Sequence, residues 1–114
     1  MIAVIFEVWP KEGHKGAYLD IAAELKPLLA DADGFLSVER FESLTEPGKL
    51  LSVSFWRDED ALSAWRHQAE HRIAQGKGRH KHFANYRLRV ASVLRDYGMT
   101  ERDEAPADSV ALHG

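Results

Sequence analysis

Residues Ile2 to Trp9 are apolar at every position except Glu7, and the run ends at Pro10. An eight-residue run of Ile, Val and aromatic residues stopped by proline reads as a strand buried on both faces. Ile2, Val4, Phe6 and Val8 fall on one face, and Ala3, Ile5 and Trp9 on the other, because successive side chains alternate. A chain of 114 residues supplies one core. One face of this strand can meet that core, and the other needs cover from elsewhere.

The remaining periodicities supply the other elements. Lys11-Glu12-Gly13 is a turn, and from His14 to Ala32 the residues Tyr18, Ile21, Ala22, Leu25, Leu28, Leu29 and Ala32 recur at helical spacing. Pro27 lies inside that helix, where a kink is expected, and Asp31 to Gly34 ends it. Phe35 to Leu44 alternates in part and is closed by Glu46-Pro47-Gly48. Leu50 to Trp56 follows at hairpin distance, with Leu51, Val53 and Phe55 opposite Leu50 and Trp56. Asp58-Glu59-Asp60 places carboxylates at the first turn of a second helix, which carries Leu62, Trp65, Ala69 and Ile73 to about Gly76. Asn85 to Tyr97 is a last strand, with Leu88 and Val90 opposing Arg87 and Arg89.

Strand, helix, strand, strand, helix, strand is the α+β, ferredoxin-like βαββαβ order, with a four-stranded antiparallel sheet and two helices on one face. Residues 1 to 98 form this domain. The apolar second face of the sheet is then an association surface, and pairing it across a two-fold axis predicts a homodimer. Met99 to Gly114 hold four acids and one base and are expected to be a flexible tail. The formal charge of -3 belongs to that tail, so the body is neutral.

The absence of cysteine excludes disulfides, iron-sulfur clusters, thiolate zinc sites and thiol nucleophiles, and agrees with a reducing compartment. No apolar run approaches the roughly 20 residues of a membrane span, and no basic leader precedes Ile2, so a cytoplasmic protein without a membrane partner is expected. Eight bases and one acid lie between Arg66 and Arg95. Such a flank attracts an anionic substrate, or is an ordinary solvated turn. Nucleic acid is not expected, because no pattern of a known reader accompanies it.

Gly34-Phe35-Leu36-Ser37-Val38-Glu39-Arg40-Phe41, then Leu50-Leu51-Ser52-Val53-Ser54-Phe55-Trp56 running into Arg57-Asp58-Glu59-Asp60-Ala61-Leu62, and Ala64-Trp65-Arg66 leading to Glu70-His71 resemble the antibiotic biosynthesis monooxygenase domain. The resemblance implies a dimeric α+β barrel with a site between sheet and helices. It implies oxygen insertion into small aromatic or quinol-like compounds without metal or flavin, or, in another branch, degradation of haem. Haem binding is therefore an alternative cofactor reading, and a non-catalytic small-ligand-binding dimer is the other alternative.

Candidate site residues follow. His71 and Glu7 are the candidate proton acceptors, since cofactor-free oxygen chemistry begins by deprotonating the substrate. Trp65, Phe55 and Trp9 are the candidate pocket walls, and Arg87 a candidate for an anionic group. Each has a structural counterpart. Trp65 continues the apolar stripe of its helix and reads first as core, ahead of a ligand-contacting role. Glu7 is expected either to have its pKa raised by burial or to pair with Arg40, Arg87 or Arg89. The haem-degrading branch carries a first-strand asparagine, for which this chain has only Glu7, and a helix tryptophan and histidine, for which it has Trp65 and His71. His67-Gln68-Ala69-Glu70-His71 spells the inverted zincin pattern, but no third ligand is placed beside it, so no catalytic metal is expected. Adventitious metal binding by His67, His71, His80 and His82 is the expected limit.

Overall fold

A computed structural model describes residues 1–75 and 82–114, with side chains described for 1–69 and 82–114. The elements are β1 (Ile2–Pro10), α1 (Lys15–Ala30), β2 (Phe35–Glu42), β3 (Leu50–Trp56), α2 (Glu59–Gln75), β4 (Phe83–Ser92) and α3 (Ala107–His113). The four strands form one antiparallel sheet in the order β2-β3-β1-β4. This is the expected ferredoxin-like arrangement, with a short terminal helix added. No helix among the described residues is long and apolar enough to cross a membrane.

Register decides which side chains share a face. Ile5 opposes Val53 on β3 and Arg89 on β4, while Val4 opposes Ser54 and Val90. The core identifies the helix side. Val4 and Trp56 pack with Leu29 of α1 and Ala61 of α2, while Val8 and Leu50 pack with Tyr18 of α1. Trp56 is 1% exposed and Val8 0%. At about 25 cal/mol per Å² over roughly 200 Å², burying Trp56 contributes on the order of 5 kcal/mol of transfer free energy. Its indole N–H donates to Ser54 Oγ at 3.0 Å, so its one polar atom is satisfied. Ala3, Ile5, Glu7 and Trp9 of β1 lie on the face away from α1 and α2, with Leu51, Val53 and Phe55.

The joints have local causes. Asp58 caps α2, its Oδ1 accepting the Ala61 N–H at 2.8 Å. Gly34 joins α1 to β2 at φ 80°, where a Cβ would lie 2.5 Å from the Cβ of Ala61. Only glycine lets the α1–β2 turn approach α2 this closely. His14, expected as the first residue of α1, is instead its N-cap position and makes no side-chain cap.

Two expected boundaries change. β4 is Phe83–Ser92 rather than Asn85 to Tyr97, because a strand's ladder lasts only as long as its neighbour. Ser92 opposes Ile2, the first residue of β1, and the Val93 N–H donates to Met1 O at 3.0 Å. β2 stops at Glu42, two residues before Leu44. In the tail, Arg102 ties the chain to itself. Its Nε donates to Gly114 O at 2.7 Å, its Nη1 to Gly98 O at 3.1 Å and its Nη2 to Ser109 Oγ at 2.7 Å.

Candidate functional site

The candidate residues divide between the two faces of the sheet. Glu7, Trp9, Phe55 and Arg87 belong to the helix-free face, since Glu7 opposes Leu51 and Arg87, Ala3 opposes Phe55, and Trp9 opposes Asn85. Trp65 lies across the sheet, on α2, packed against the cluster of Val4, Leu29, Trp56 and Ala61. Trp65, Phe55 and Trp9 therefore do not line one pocket within a chain, because the sheet separates them. The backbone of His71 belongs to α2. Its side chain, like those of Glu70 and His80, lies outside the described residues.

Glu7 follows the second of its two expectations, pairing with an arginine. Burial pushes its carboxyl up, as anticipated, but the Arg89 hydrogen bond and the charges of Lys49 and Arg89 outweigh that push and hold it below its ordinary value. Oε2 accepts from Arg89 Nη1 at 3.3 Å and Oε1 lies 3.5 Å from Lys49 Nζ. Of the three arginines considered, Arg89 is the partner. Arg40 sits on the helix side opposite Ser52, and Arg87 opposes Glu7 in register without a described contact. The same Lys49 Nζ stands 4.8 Å from the Trp9 ring centroid, so Trp9 and Glu7 share one cation. A carboxylate so held is a poor proton acceptor.

Trp65 follows its structural reading. Its ring stacks on Trp56 with centroids 6.2 Å apart and planes 28° apart, and Trp56 meets Phe35 edge-on at 5.4 Å. Trp65 also reaches the rim of a shallow depression of about 210 Å³ with Asp33, Arg57, Asp60 and Gln68. On that rim Arg57 and Asp33 are paired. Arg57 donates to both Asp33 oxygens at 3.2 and 3.1 Å and through Nε to Asp58 Oδ2 at 3.1 Å. These bonds lower Asp33 and, with the Ala61 N–H foremost, Asp58. Ala32, Ala61, Ala64 and Trp65 line the depression beside these pairs, so it is apolar as well as charged.

A different part of the helix side is aromatic and half open. Phe6 of β1, Tyr18 of α1, and Phe83 and Tyr86 of β4 form one cluster. Centroids lie 6.0 Å apart for Phe6 and Phe83, 5.7 Å for Phe6 and Tyr86, and 5.6 Å for Tyr18 and Phe83. Beyond it Leu88 and Val90 are 50% and 47% exposed, although their register partners Phe6 and Val4 face the helices. At the cluster's edge His14 and His82 face each other with Nδ1 atoms 3.0 Å apart. One Nδ1 donates to the other, and the tautomers decide which.

The sequence pattern marks Phe6 and Tyr18 as apolar positions of β1 and α1 and His82 as no more than an adventitious metal ligand. The alternation of Tyr86, Leu88 and Val90 with Arg87 and Arg89 is the signal that points to the cluster. His67, by contrast, bonds its own helix through Nδ1 to Ser63 O at 2.9 Å. Among the described residues no three His, Cys, Asp or Glu side chains converge as a metal would require.

A model of the antibiotic biosynthesis monooxygenase family matches residues 1–77. The chain belongs to the antibiotic biosynthesis monooxygenase family. Over 93 residues it is 50% identical to "Jasmonate monooxygenase ABM" of Pyricularia oryzae, covering 82% of this chain and 43% of that protein. The chain thus spans less than half the length of that relative. It is 40% identical over 93 residues to the uncharacterized protein YqjZ of Bacillus subtilis, covering 82% and 79% of the two chains. Among solved structures, Rv0793 from Mycobacterium tuberculosis superposes with a TM-score of 0.73 at 18% identity, covering 85% of this chain and 98% of its own. A putative antibiotic biosynthesis monooxygenase from Deinococcus radiodurans gives 0.66 at 14%, covering 86% and 97%. At those identities the structures show the fold.

The segments by which this chain resembles the antibiotic biosynthesis monooxygenase family turn out to be largely scaffold. Gly34 abuts Ala61, Phe35, Trp56 and Trp65 stack, and Asp58 caps α2. Membership therefore fixes the frame more firmly than the site. Glu7, the one polar side chain of the first strand, lies across the sheet from Trp65.

Proposed function

We propose that the chain is a monooxygenase acting on a small aromatic or quinol-like compound with molecular oxygen and no bound cofactor, as a cytoplasmic homodimer. The observation that carries this reading is the half-open cluster of Phe6, Tyr18, Phe83 and Tyr86 with the His14–His82 pair at its edge, in a chain of the antibiotic biosynthesis monooxygenase family. The homodimer rests on the apolar helix-free face, where Ile5, Val53 and Phe55 lie.

The roles follow from chemistry. Aromatic rings hold a flat apolar substrate by area and edge-to-face contact. An imidazole takes a proton from an activated C–H or O–H, and the resulting anion gives one electron to oxygen. Recombination of the two radicals forms a peroxide, which loses water, so that CH2 and O2 become C=O and H2O with every electron drawn from the substrate. An imidazole of the His14–His82 pair is one acceptor, and His71 on α2 is the other. Glu7 has no part in the proton transfer. The jasmonate monooxygenase relative places jasmonate on the substrate panel. Hydroxylating an unactivated C–H bond takes two further electrons, so jasmonate is assayed with and without a nicotinamide reductant.

Oxygen uptake by wild type, His71→Ala and His82→Ala, with hydroquinones, anthrones and jasmonate, tests the assignment. The variant lacking the proton acceptor is expected to lose about 10²-fold or more in rate. Equal rates in all three proteins would remove both histidines from the mechanism.

A further inference from the structure

The two faces of β4 differ in charge. Ile2, Val4, Phe6 and Val8 of β1 pack toward the helices, and their register partners on β4 are Ser92, Val90, Leu88 and Tyr86. None of these four is charged. Arg87 and Arg89 alternate with them and lie on the helix-free face, where Arg89 Nη1 donates to Glu7 Oε2 at 3.3 Å. Along this strand the bases expected to attract an anion are turned away from the helix side.

The cover supplied by the helices ends between β1 and β4. Val4 is 8% exposed, whereas Val90 beside it on the same face is 47% exposed, and Leu88 is 50% exposed. The uncovered row from Tyr86 to Val90 is roughly 13 Å long at about 3.3 Å per residue. It starts in the aromatic cluster, where Phe83 and Tyr86 lie 6.2 Å apart and the His14–His82 pair sits at the edge. We infer that Tyr86, Leu88 and Val90 hold the apolar body of the substrate, so that the proposed oxygenase takes an uncharged hydroquinone or phenol bearing an apolar chain, with Leu88 the specificity-determining residue. Two observations select that occupant. The row is continuous with the cluster, which sets the oxidisable ring beside the imidazoles and the chain along β4. The row also holds no charge, so a carboxylate laid on it loses water and gains no partner among the described residues.

This inference rests on the oxygenase reading above and is tested apart from it, by binding without oxygen. Equilibrium dialysis under argon compares hydroquinone, pentylhydroquinone and the pentylhydroquinone analogue whose chain ends in a carboxylate. The pentyl chain is expected to tighten binding to wild type at least tenfold, and the carboxylate to cancel that gain. In Leu88→Arg, a substitution at a half-exposed position with the fold checked by far-UV circular dichroism, the order of the two chain-bearing probes is expected to reverse. An unreversed order in the folded variant would remove Leu88 from the role. No gain from the chain would mean that something other than substrate covers the row, and equal binding of both chains to wild type would mean that charge is not read there; either result overturns the inference. Oxygen uptake with pentylhydroquinone separates the two readings. Uptake without the binding preference leaves the oxygenase standing and the row excluded, whereas the preference without uptake overturns the oxygenase and leaves the row as a ligand site.

Discussion

Single residues in this chain show how far a type and a spacing can be read. Glu7 stood out as a carboxylate in an apolar strand, but its sign could not be had from β1 alone. Burial raises it and cations lower it, and the cations arrive from β4 and the β2–β3 turn, 82 and 42 residues away. Its folded pKa lies below the ordinary value of 4.5. The pairing therefore stabilises the fold fully above about pH 4.5 and is lost as pH falls through the lowered value. Glu7→Gln is expected to be less stable than wild type at pH 7 and to approach it at pH 3, read as urea midpoints. A difference constant across that range would contradict the ion pairing. Gly34 makes a steric prediction. Alanine there meets left-handed backbone at roughly 1–2 kcal/mol and overpacking against Ala61 at about 1–3 kcal/mol, so Gly34→Ala is expected to lose about 2–5 kcal/mol in urea unfolding.

Elements were legible where their causes are local. β3 begins and ends where its apolar run does, and α2 starts behind Asp58 because a capping carboxylate and two acids in the first turn belong there. Asp58→Ala is expected to cost about 1 kcal/mol of stability, with Asp58→Asn retaining most of it, both read by thermal unfolding. A larger loss in Asn than in Ala would contradict the cap. The end of β4 was not legible, because it depends on where β1 stops, and alternation within one strand says nothing of its neighbour's length. The choice of the helix side was hidden for the same reason. Both faces of β1 are apolar, so only the packing of Tyr18, Leu29 and Ala61 tells which one the helices take. That choice separated Phe55 and Trp9 from Trp65 and brought Phe6, Phe83 and Tyr86 together.

At the scale of the molecule, one chain offers an apolar sheet face, an open aromatic cluster and an outer edge at β4. The proposed homodimer covers the first of these. The fold and the family follow from the periodicities and from the segments around Gly34, Trp56 and Trp65. The site does not, because scaffold residues carry the resemblance while the aromatic cluster is assembled from β1, α1 and β4. The central claim is that this frame inserts oxygen into an oxidisable apolar compound. Incubating the purified chain with an anthrone or hydroquinone under ¹⁸O₂, with metals chelated and no flavin added, tests it most directly. The account predicts enzyme-dependent oxygen uptake and one ¹⁸O atom in the product. No uptake above the enzyme-free rate with any member of the panel, or product oxygen drawn from water, would contradict it.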